Sequence, residues 1–352
     1  MRHDTIRKTT WAVTGIILLA IALCWFLLQP GGDIGNYKTY YIHEAAEPHH
    51  GAVKVTFLGA ASLLIDDGET QLMIDGFISR KPLWQVATAK LSTDKAAIGA
   101  VLEKLQINRL QAVFASHSHY DHALDIAYLA QRTGAKLYGS SSTLNIGKGA
   151  GLPSGQMQLY TPGKALHIGQ FSISVMQARH TPPIVYINND LGEQITEPLR
   201  QPARFRAYKE GGTYNFLIRH DGLSLYIKPD TNFIAGQLDK IQADVLFLGA
   251  SLLGKQKPEF QQAYYDETVG KLRPQLVIPI HWDNFFQPLS DHLEAMPLVA
   301  DDLERSFDFL ISRTKADHIQ FRILQGYQSL IIRPYGQKES YELQDSIEQP
   351  GL

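Results

Sequence analysis

Residues 111–122 read QAVFASHSHYDH, in which a short apolar run leads directly into a segment dense in His and Asp. The apolar run predicts a buried strand, and residues 123–132 after it predict an amphipathic helix that ends at Gly134. Four side chains on the turn between them can bind a metal ion: His117, His119, Asp121 and His122. Crowding such groups into one small volume is costly unless something binds them. The spacing predicts two adjacent metal positions, with the first two imidazoles at one and the Asp-His pair at the other.

Neither pair completes a metal site, so the hypothesis requires ligands from elsewhere in the chain. Three later residues each follow a predicted strand, and they are His180, Asp230 and His281. Strand ends that run into loops are the usual place for functional side chains on a rigid scaffold. Imidazole and carboxylate ligands without thiolate suit zinc, and they also suit manganese or iron.

The other strands and helices predict an α/β protein. Apolar β-type runs at residues 53–59, 62–67 and 70–76 precede a predicted helix at residues 93–106. The second half repeats this order, and Asp-Gly pairs mark hairpin turns in both halves. Two such halves predict a four-layer αββα sandwich over residues 51–335. The second half has predicted strands within 165–177 and at 214–219, 223–227, 245–248 and 276–279, and a predicted helix at 259–272.

The N-terminus differs from this domain because it contains a long apolar run without charged residues. Residues 11–28 read WAVTGIILLAIALCWFLL and carry no charge, and a helix of this length is long enough to cross a bilayer core. Basic residues precede the run, and none follows it until Lys38, so the positive-inside rule predicts that the rest lies outside the cytoplasm. We therefore expect residues 1–30 to be a cytoplasmic stub and a single transmembrane anchor in the cell membrane. A cleaved signal peptide is the alternative.

This anchor would place the catalytic domain in the periplasm if the source were a Gram-negative bacterium. Residues 31–50 predict a solvated linker, and the polar residues 336–352 predict a disordered tail.

Composition narrows the range of functions. The 33 basic and 35 acidic residues give a formal net charge of -2, which favours no nucleic-acid partner. Cys24 is the only cysteine, so an intrachain disulfide, a cysteine zinc site and a cysteine nucleophile in the soluble part are excluded. No Gly-x-Ser-x-Gly elbow occurs, which argues against a serine hydrolase. The glycine-rich residues 147–151 predict a flexible turn rather than a nucleotide loop. His43, His167, His220 and His292 have no partner set and are predicted to be structural or surface residues.

With these residues in place, residues 53–334 closely resemble the metallo-β-lactamase superfamily. The resemblance is carried by the His-x-His-x-Asp-His motif, by the three later ligand candidates, and by Asp75 at the end of an early strand. It implies that the first metal is bound by His117, His119 and His180. It implies that the second metal is bound by Asp121, His122 and His281, with Asp230 bridging the two.

Three stretches are similar to one branch of the superfamily. SHSHYDHALD, LYIKPDTNF and VIPIHWDNF resemble parts of N-acylphosphatidylethanolamine phospholipase D and of lactonases that act on phosphorylated sugar lactones. A departure lies before the bridging Asp, where relatives commonly have a small residue and Gly and this chain has Lys228-Pro229. Lys228 either faces the substrate pocket, where it could contact a phosphate, or turns to solvent.

The resemblance implies a hydrolase in which two divalent metal ions share a hydroxide nucleophile. Asp121 would be catalytic, through the oxygen not bound to metal, by orienting the hydroxide or passing a proton to the leaving group. Carboxylates that hydrogen-bond ligand imidazoles fix their tautomers, and Asp75 and Asp125 are the candidates.

The substrate class is less defined than the chemistry. A membrane anchor and the aromatic residues Phe233, Phe285 and Phe286 near ligands favour a phosphodiesterase acting on a phospholipid-like substrate. A lactonase or another C–O or C–N hydrolase is the alternative, and an iron-dependent oxidoreductase of the same fold is the alternative from another class. The long connection at residues 181–212, rich in Pro, Gly and Arg, predicts a lid over the site.

Overall fold

The computed structural model of the protein describes residues 2–42, 52–183 and 189–333. This part of the chain contains two seven-stranded β-sheets. The strands of the first sheet are β1 (Val53–Phe57), β2 (Leu63–Asp66), β3 (Gln71–Ile74), β4 (Leu110–Phe114), β5 (Lys136–Gly139), β6 (Met157–Leu159) and β14 (Ser329–Ile332). Those of the second are β7 (Leu166–Ile168), β8 (Phe171–Ala178), β9 (Thr213–His220), β10 (Leu223–Lys228), β11 (Val245–Gly249), β12 (Leu276–Ile280) and β13 (Gln320–Phe321).

The α-helices of the described residues precede or connect these strands. They are α1 (Arg2–Leu27), α2 (Leu83–Thr88), α3 (Lys95–Lys104), α4 (Tyr120–Ala123), α5 (Ile126–Thr133), α6 (Ser141–Gly149), α7 (Pro258–Glu267), α8 (Val269–Leu272) and α9 (Leu303–Ala316). Local signals mark the beginning and the end of helices, and the predicted end at Gly134 is among them. The Asp94 carboxylate accepts a hydrogen bond from the Ala97 amide at the start of α3, and Gly134 ends α5 with a φ of 78°.

Each of the two sheets is mixed, with antiparallel strand pairs in one part and parallel strand pairs in the other. The first runs β14-β1-β2-β3-β4-β5-β6, and the second runs β13-β12-β11-β10-β9-β8-β7. The predicted hairpin turns are confirmed between β2 and β3 and between β9 and β10, where Asp221 and Gly222 have φ values of 43° and 80°. Parallel pairing of β3 with β4, of β10 with β11 and of β11 with β12 places the carboxyl ends of these strands on shared edges.

Side chains alternate between the two faces of each strand, and this alternation builds the layers. In β4, Ala112 and Phe114 belong to the large core that both sheets share, whereas Val113 faces the core under α3 and α5. Helices α5 and α6 pack on the first sheet, and α9 packs beside β13 of the second. Stacked sheets with helices outside form the predicted αββα arrangement.

Some elements differ from the sequence-based expectation. The predicted helix at 259–272 is broken at Thr268, whose φ and ψ of −117° and −80° separate α7 from α8. The glycine-rich residues 147–151 are the end of helix α6 and the turn after it rather than a free loop. Helix α9 and strand β14 were not predicted, and β14 pairs with β1 to complete the edge of the first sheet.

The N-terminal residues 2–27 form helix α1. Among the described helices, none is identified as one that could cross a membrane. The predicted transmembrane anchor is therefore not supported.

The predicted linker is not a solvated segment over its described part. Residues Ile34–Tyr40 form a 3₁₀ helix, and Tyr37 in it is buried against Phe307 of α9 with its hydroxyl 2.9 Å from Asp308. The Gly31 amide donates to the Met296 carbonyl, which adds a backbone contact. The physical reason is the aromatic content of this stretch, which buries apolar area on the domain. The pair His49 and His50 and the predicted tail at 336–352 lie outside the described residues.

Candidate metal centre

The loop after β4 is held by a carboxylate from the neighbouring strand β3. Asp75 follows β3 with a φ of 58°, and its Oδ1 accepts a 2.7 Å hydrogen bond from the Ser116 amide. The Asp75 amide in turn donates to the Phe114 carbonyl at 2.7 Å. These contacts turn the chain out of the sheet so that the residues after Ser116 point along the sheet edge.

The first group of predicted ligands comes together from both sheets. His117 and His119 lie on the loop after β4, and His180 follows β8 of the second sheet. His119 Nδ1 lies 3.1 Å from His117 Nε2 and 3.1 Å from His180 Nε2. Three ring nitrogens therefore converge on one point.

The second group lies beside the first. Asp121 Oδ2 is 3.5 Å from His122 Nε2 and 3.4 Å from His281 Nε2, and His281 follows β12 with a φ of 59°. The His117 and His122 rings have centroids 3.9 Å apart, so the two groups are adjacent. In each group the candidate ligand atoms lie within 4.8 Å of one another.

Asp230 approaches the first group from the end of β10. Its Oδ2 lies 3.2 Å from His117 Nδ1, and its Oδ1 lies 3.6 Å from His180 Nε2. The amide and the hydroxyl of Thr181 both donate to Oδ1 at 3.1 Å and fix the carboxylate. The structure places this residue beside the first group, and its bridging role stays a prediction.

The hydrogen bonds within the centre leave buried ligand atoms without partners, and bound metal ions would supply these partners. His122 Nε2, His281 Nε2 and Asp230 Oδ2 are buried and have no hydrogen-bond partner. Such orphaned buried acceptors are costly in the protein alone. In the first group the nitrogens are 3.1 Å apart, and nitrogen ligands at 2.0–2.1 Å from a tetrahedral zinc ion would be about 3.3 Å apart. The donor set and its spacing suit one divalent cation in each group.

The electrostatics of the site also favour cations. Burial lowers the pKa values of His117 and His122 to about 3, so both imidazoles are neutral at pH 7 and can donate a lone pair. Burial alone would raise the pKa values of Asp121 and Asp230, but neighbouring imidazoles outweigh it and hold both well below the usual range. Burial lowers the pKa of His281, but the neighbouring Asp121 carboxylate raises it, and the net effect is a raised pKa. A divalent cation would supply the positive charge that these carboxylates attract.

One of the two candidate carboxylates contacts a ligand imidazole. Asp75 Oδ2 lies 2.8 Å from His122 Nδ1, on the far side of the ring from the converging atoms, and burial raises the Asp75 pKa to about 7. The Asp125 candidate is wrong, because its Oδ2 accepts hydrogen bonds from the Ile78 and Ser79 amides instead. Asp125 shapes the backbone after β3.

Two further carboxylates near the site were missed by the sequence analysis. Asp190, within residues 181–212, has its Oδ1 3.1 Å from His119 Nε2. Asp283 forms a buried ion pair with Arg80 at 2.8 Å and accepts a hydrogen bond from the Ala60 amide. The Ala60 carbonyl in turn accepts a hydrogen bond from the His281 amide. The only sequence signal was proximity: Asp283 lies two residues after His281, and Asp190 lies in the predicted lid.

The Arg80–Asp283 pair explains a glycine in the loop after β1. Gly59 has a φ of 75°, and a Cβ atom there would collide with the Arg80 guanidinium and the Asp283 carboxylate. The absence of a side chain at this position lets the buried pair form behind His281.

Lys228 is buried, so the solvent-facing alternative is wrong. Its side chain is 2% exposed and its ammonium lies 5.6 Å from the centre of the Tyr264 ring of α7. Burial lowers its pKa to about 8, and Asp230 acts in the opposite direction. Lys228 therefore lies under helix α7, two residues before the Asp230 carboxylate.

Aromatic side chains lie next to the second group. The ring centroid of Phe285 lies 5.8 Å from that of His281, with the two rings tilted by 32°. It lies 4.8 Å from the Phe286 centroid and 6.4 Å from the Tyr120 centroid. Both phenylalanines are partly exposed. Phe233 packs against Phe260 of α7 instead, at 5.7 Å, so it belongs to the packing of the outer helix.

The fold and this centre define the class to which the protein belongs. Two stacked mixed sheets with His and Asp side chains at their shared edge are the architecture of the metallo-β-lactamases, which the sequence resembles. The sequence model of the Beta-lactamase superfamily domain matches residues 95–282, which is more than half of the chain. The chain belongs to the metallo-β-lactamase superfamily.

Curated relatives bear a more specific name. The chain is 25% identical over 256 residues to the UPF0173 metal-dependent hydrolase of Pyrococcus furiosus, covering 71% of this chain and 93% of that protein. It is 22% identical over 238 residues to the UPF0173 metal-dependent hydrolase of Carboxydothermus hydrogenoformans, covering 66% of this chain and 86% of that protein.

Solved structures share the fold. Igni18, a metallo hydrolase from Ignicoccus hospitalis, has a TM-score of 0.52 at 18% identity, covering 80% of this chain and 98% of that chain. CmlA, a diiron β-hydroxylase from Streptomyces venezuelae, has a TM-score of 0.50 at 14% identity, covering 82% of this chain and 55% of that chain. At these identities the likeness concerns the fold alone.

Proposed function

We propose that this protein is a metal-dependent hydrolase with two metal positions at the shared edge of its sheets. The observation that carries the proposal is the pair of adjacent groups, His117-His119-His180 and Asp121-His122-His281, whose buried ligand atoms converge. The names of the curated relatives support the same reaction class. Zinc is the proposed metal, since the ligands are imidazole and carboxylate, and manganese or iron also fit them.

Bound divalent ions would supply Lewis-acid activation of water and of a phosphoryl or carbonyl oxygen. The chain's own residues hold the reacting groups in place. Asp230, fixed by Thr181, would bridge the two positions. Asp121 Oδ2 faces the His122 and His281 rings, and the other carboxylate oxygen of Asp121 would orient water or pass a proton to the leaving group.

For the substrate we propose a phosphodiester with an apolar portion, of the phospholipid type. Support comes from the partly exposed phenylalanines Phe285 and Phe286 beside His281. An apolar group of the substrate could pack there while its polar group lies at the ligand atoms. A lactone or another ester or amide is the competing substrate class. Location outside the cytoplasm and the lack of a nucleic-acid partner remain predictions from the sequence.

The test is activity and metal content of ligand variants. We expect His119→Ala and Asp121→Ala to abolish hydrolysis of bis-p-nitrophenyl phosphate, of lactones and of β-lactams, whichever the wild type cleaves. His167→Ala is the matched control, because His167 is an exposed imidazole on β7 outside the centre. The wild type should hold about two metal ions per chain by elemental analysis.

Two results would contradict the proposal. One is full activity in both ligand variants. The other is a wild type that hydrolyses none of these substrates and shows a ferric absorption band, which would favour iron-dependent oxidation.

A further inference from the structure

His119 has contacts on both of its ring nitrogens. Nδ1 faces His117 and His180 at 3.1 Å, where the proposed function places a metal ion. Nε2 lies 3.1 Å from Asp190 Oδ1 on the opposite side of the ring. A carboxylate that accepts from the distal N–H of a ligand imidazole fixes its tautomer and makes it a stronger ligand.

The groups that contact the outer ring nitrogens of the candidate ligands come from different parts of the chain. His122 Nδ1 is held by Asp75, which directly follows a strand of the first sheet. His180 Nδ1 lies 2.8 Å from the carbonyl of Thr181, the next residue in the chain. His119 is held by a residue 71 positions away, in the connection between β8 and β9.

The turn that carries Asp190 is continuous with the rest of this connection. The Asp190 carbonyl accepts a hydrogen bond from the Glu193 amide at 2.9 Å, and the Glu193 carbonyl accepts one from the Gly211 amide at 2.9 Å. The Glu193 carboxylate pairs with Lys209 at 2.7 Å. These bonds join residues 190–193 to residues 209–211. The Asp190 carboxylate connects this group to His119, and the Glu210 carbonyl connects it to the same ligand loop by accepting a 2.8 Å hydrogen bond from the Ser118 amide.

We propose that Asp190 is a positioning residue that orients His119 and couples residues 189–212 to occupation of the metal position at His117, His119 and His180. This inference rests on the proposed function, since it requires a metal ion at that position. With Nε2–H donating to Asp190, the Nδ1 lone pair faces the metal. A cation on Nδ1 draws electrons from the ring and strengthens the Nε2–H···Oδ1 hydrogen bond. Because linkage is reciprocal, metal binding tightens the segment, and the held segment raises metal affinity.

The experiment compares the purified full chain with Asp190→Ala, Asp190→Asn and the control Glu197→Gln. Glu197 is an exposed carboxylate of the same segment, so its replacement changes the charge equally without touching His119. Zinc affinity is measured by competition with a chromogenic chelator, and hydrogen–deuterium exchange of residues 189–212 is measured with and without zinc.

We expect Asp190→Ala to lower zinc affinity about 10- to 100-fold, the usual effect of losing such a carboxylate, and Asp190→Asn to have a smaller effect. In the wild type and in Glu197→Gln, zinc should slow exchange of residues 189–212. In Asp190→Ala, zinc at saturating concentration should leave that exchange unchanged.

The inference is overturned if Asp190→Ala and Asp190→Asn keep the zinc affinity of the wild type, or if zinc still slows exchange of the segment in Asp190→Ala. The conservative Asn variant keeps the test decisive if the Ala variant does not fold. Failure of the proposed metal position itself would look different, because the wild type would then bind no zinc.

Discussion

Burying any one of the polar side chains of the centre alone would cost free energy. Their burial is explained when they pair with one another or bind metal together. Asp75, His117, His122 and Asp230 are at most 1% exposed, and two of their atoms, His122 Nε2 and Asp230 Oδ2, lack a hydrogen-bond partner. The contact between Asp75 and His122 shows how a residue outside the motif sets the orientation of a ligand.

Lys228 provides a test of charge burial at the residue scale. The folded protein lowers its pKa from 10.5 to about 8, so between these values the unfolded chain holds more protons and stability rises with pH. Below pH 8 both states are protonated, and the cost of burying the charge is fully present. A shift of this size corresponds to about 3 kcal/mol, a net value that already includes the opposite effect of Asp230.

We therefore expect Lys228→Met to raise the free energy of unfolding at pH 7 by about 1–3 kcal/mol and to remove the rise in stability between pH 8 and 10.5. Urea unfolding at three pH values in the presence of a chelator measures both effects. Lys240→Met, at an exposed position, is the control and should change neither. A less stable Lys228→Met protein at pH 7 would contradict this account.

At the scale of elements, the 3₁₀ helix Ile34–Tyr40 is part of the folded domain. Tyr37 is 6% exposed, its ring lies 5.3 Å from Phe307, and its hydroxyl contacts Asp308. These contacts attach the 3₁₀ helix to α9, an element that the sequence analysis did not anticipate. The attachment explains why residues predicted as a linker are ordered against the second sheet.

Truncation of Tyr37 measures the strength of this attachment. We expect Tyr37→Ala to lower the free energy of unfolding by about 3 kcal/mol, as for other buried aromatic side chains. Tyr37→Phe keeps the ring and loses only the hydroxyl contact, so it should cost about 1 kcal/mol. Chemical denaturation of both variants gives the two values. Equal, negligible losses would mean that the segment does not stabilise the domain.

At the scale of the whole molecule, the centre joins the two sheets. His117, His119, Asp121 and His122 follow a strand of the first sheet, whereas His180, Asp230 and His281 follow strands of the second. A second link lies away from the centre, where His220 at the end of β9 lies 3.0 Å from Asp67 in the turn after β2. Metal ions at the centre would thus hold the two halves together.

Metal removal should accordingly destabilise the protein. A ligand at 100 times its dissociation constant stabilises the folded state by about 2.7 kcal/mol, which for a domain of this size corresponds to a rise in Tm of about 5 °C. We expect zinc to raise Tm by this amount over protein treated with EDTA in differential scanning fluorimetry. His180→Ala should reduce the shift, and His167→Ala should keep it. An unchanged Tm in the wild type would exclude a metal link between the sheets.

The sequence by itself determined the features that depend on neighbouring residues. Strand alternation around Phe114, the Asp-Gly hairpins, the Gly134 helix end and the metal-binding chemistry of residues 117–122 all follow from local spacing. The strand ends also indicated His180, Asp230 and His281, because strand ends that run into loops are the usual place for functional side chains.

Only the tertiary structure decided which distant groups meet. Asp190 reaches His119 across 71 residues, and Arg80 pairs with Asp283 across 203 residues. The burial of Lys228 depends on a helix packed over β10, and the position of Tyr37 depends on α9. Local periodicity shows which face of an element is apolar, but it carries no information on which other element covers that face. That choice is made when the sheets and helices pack.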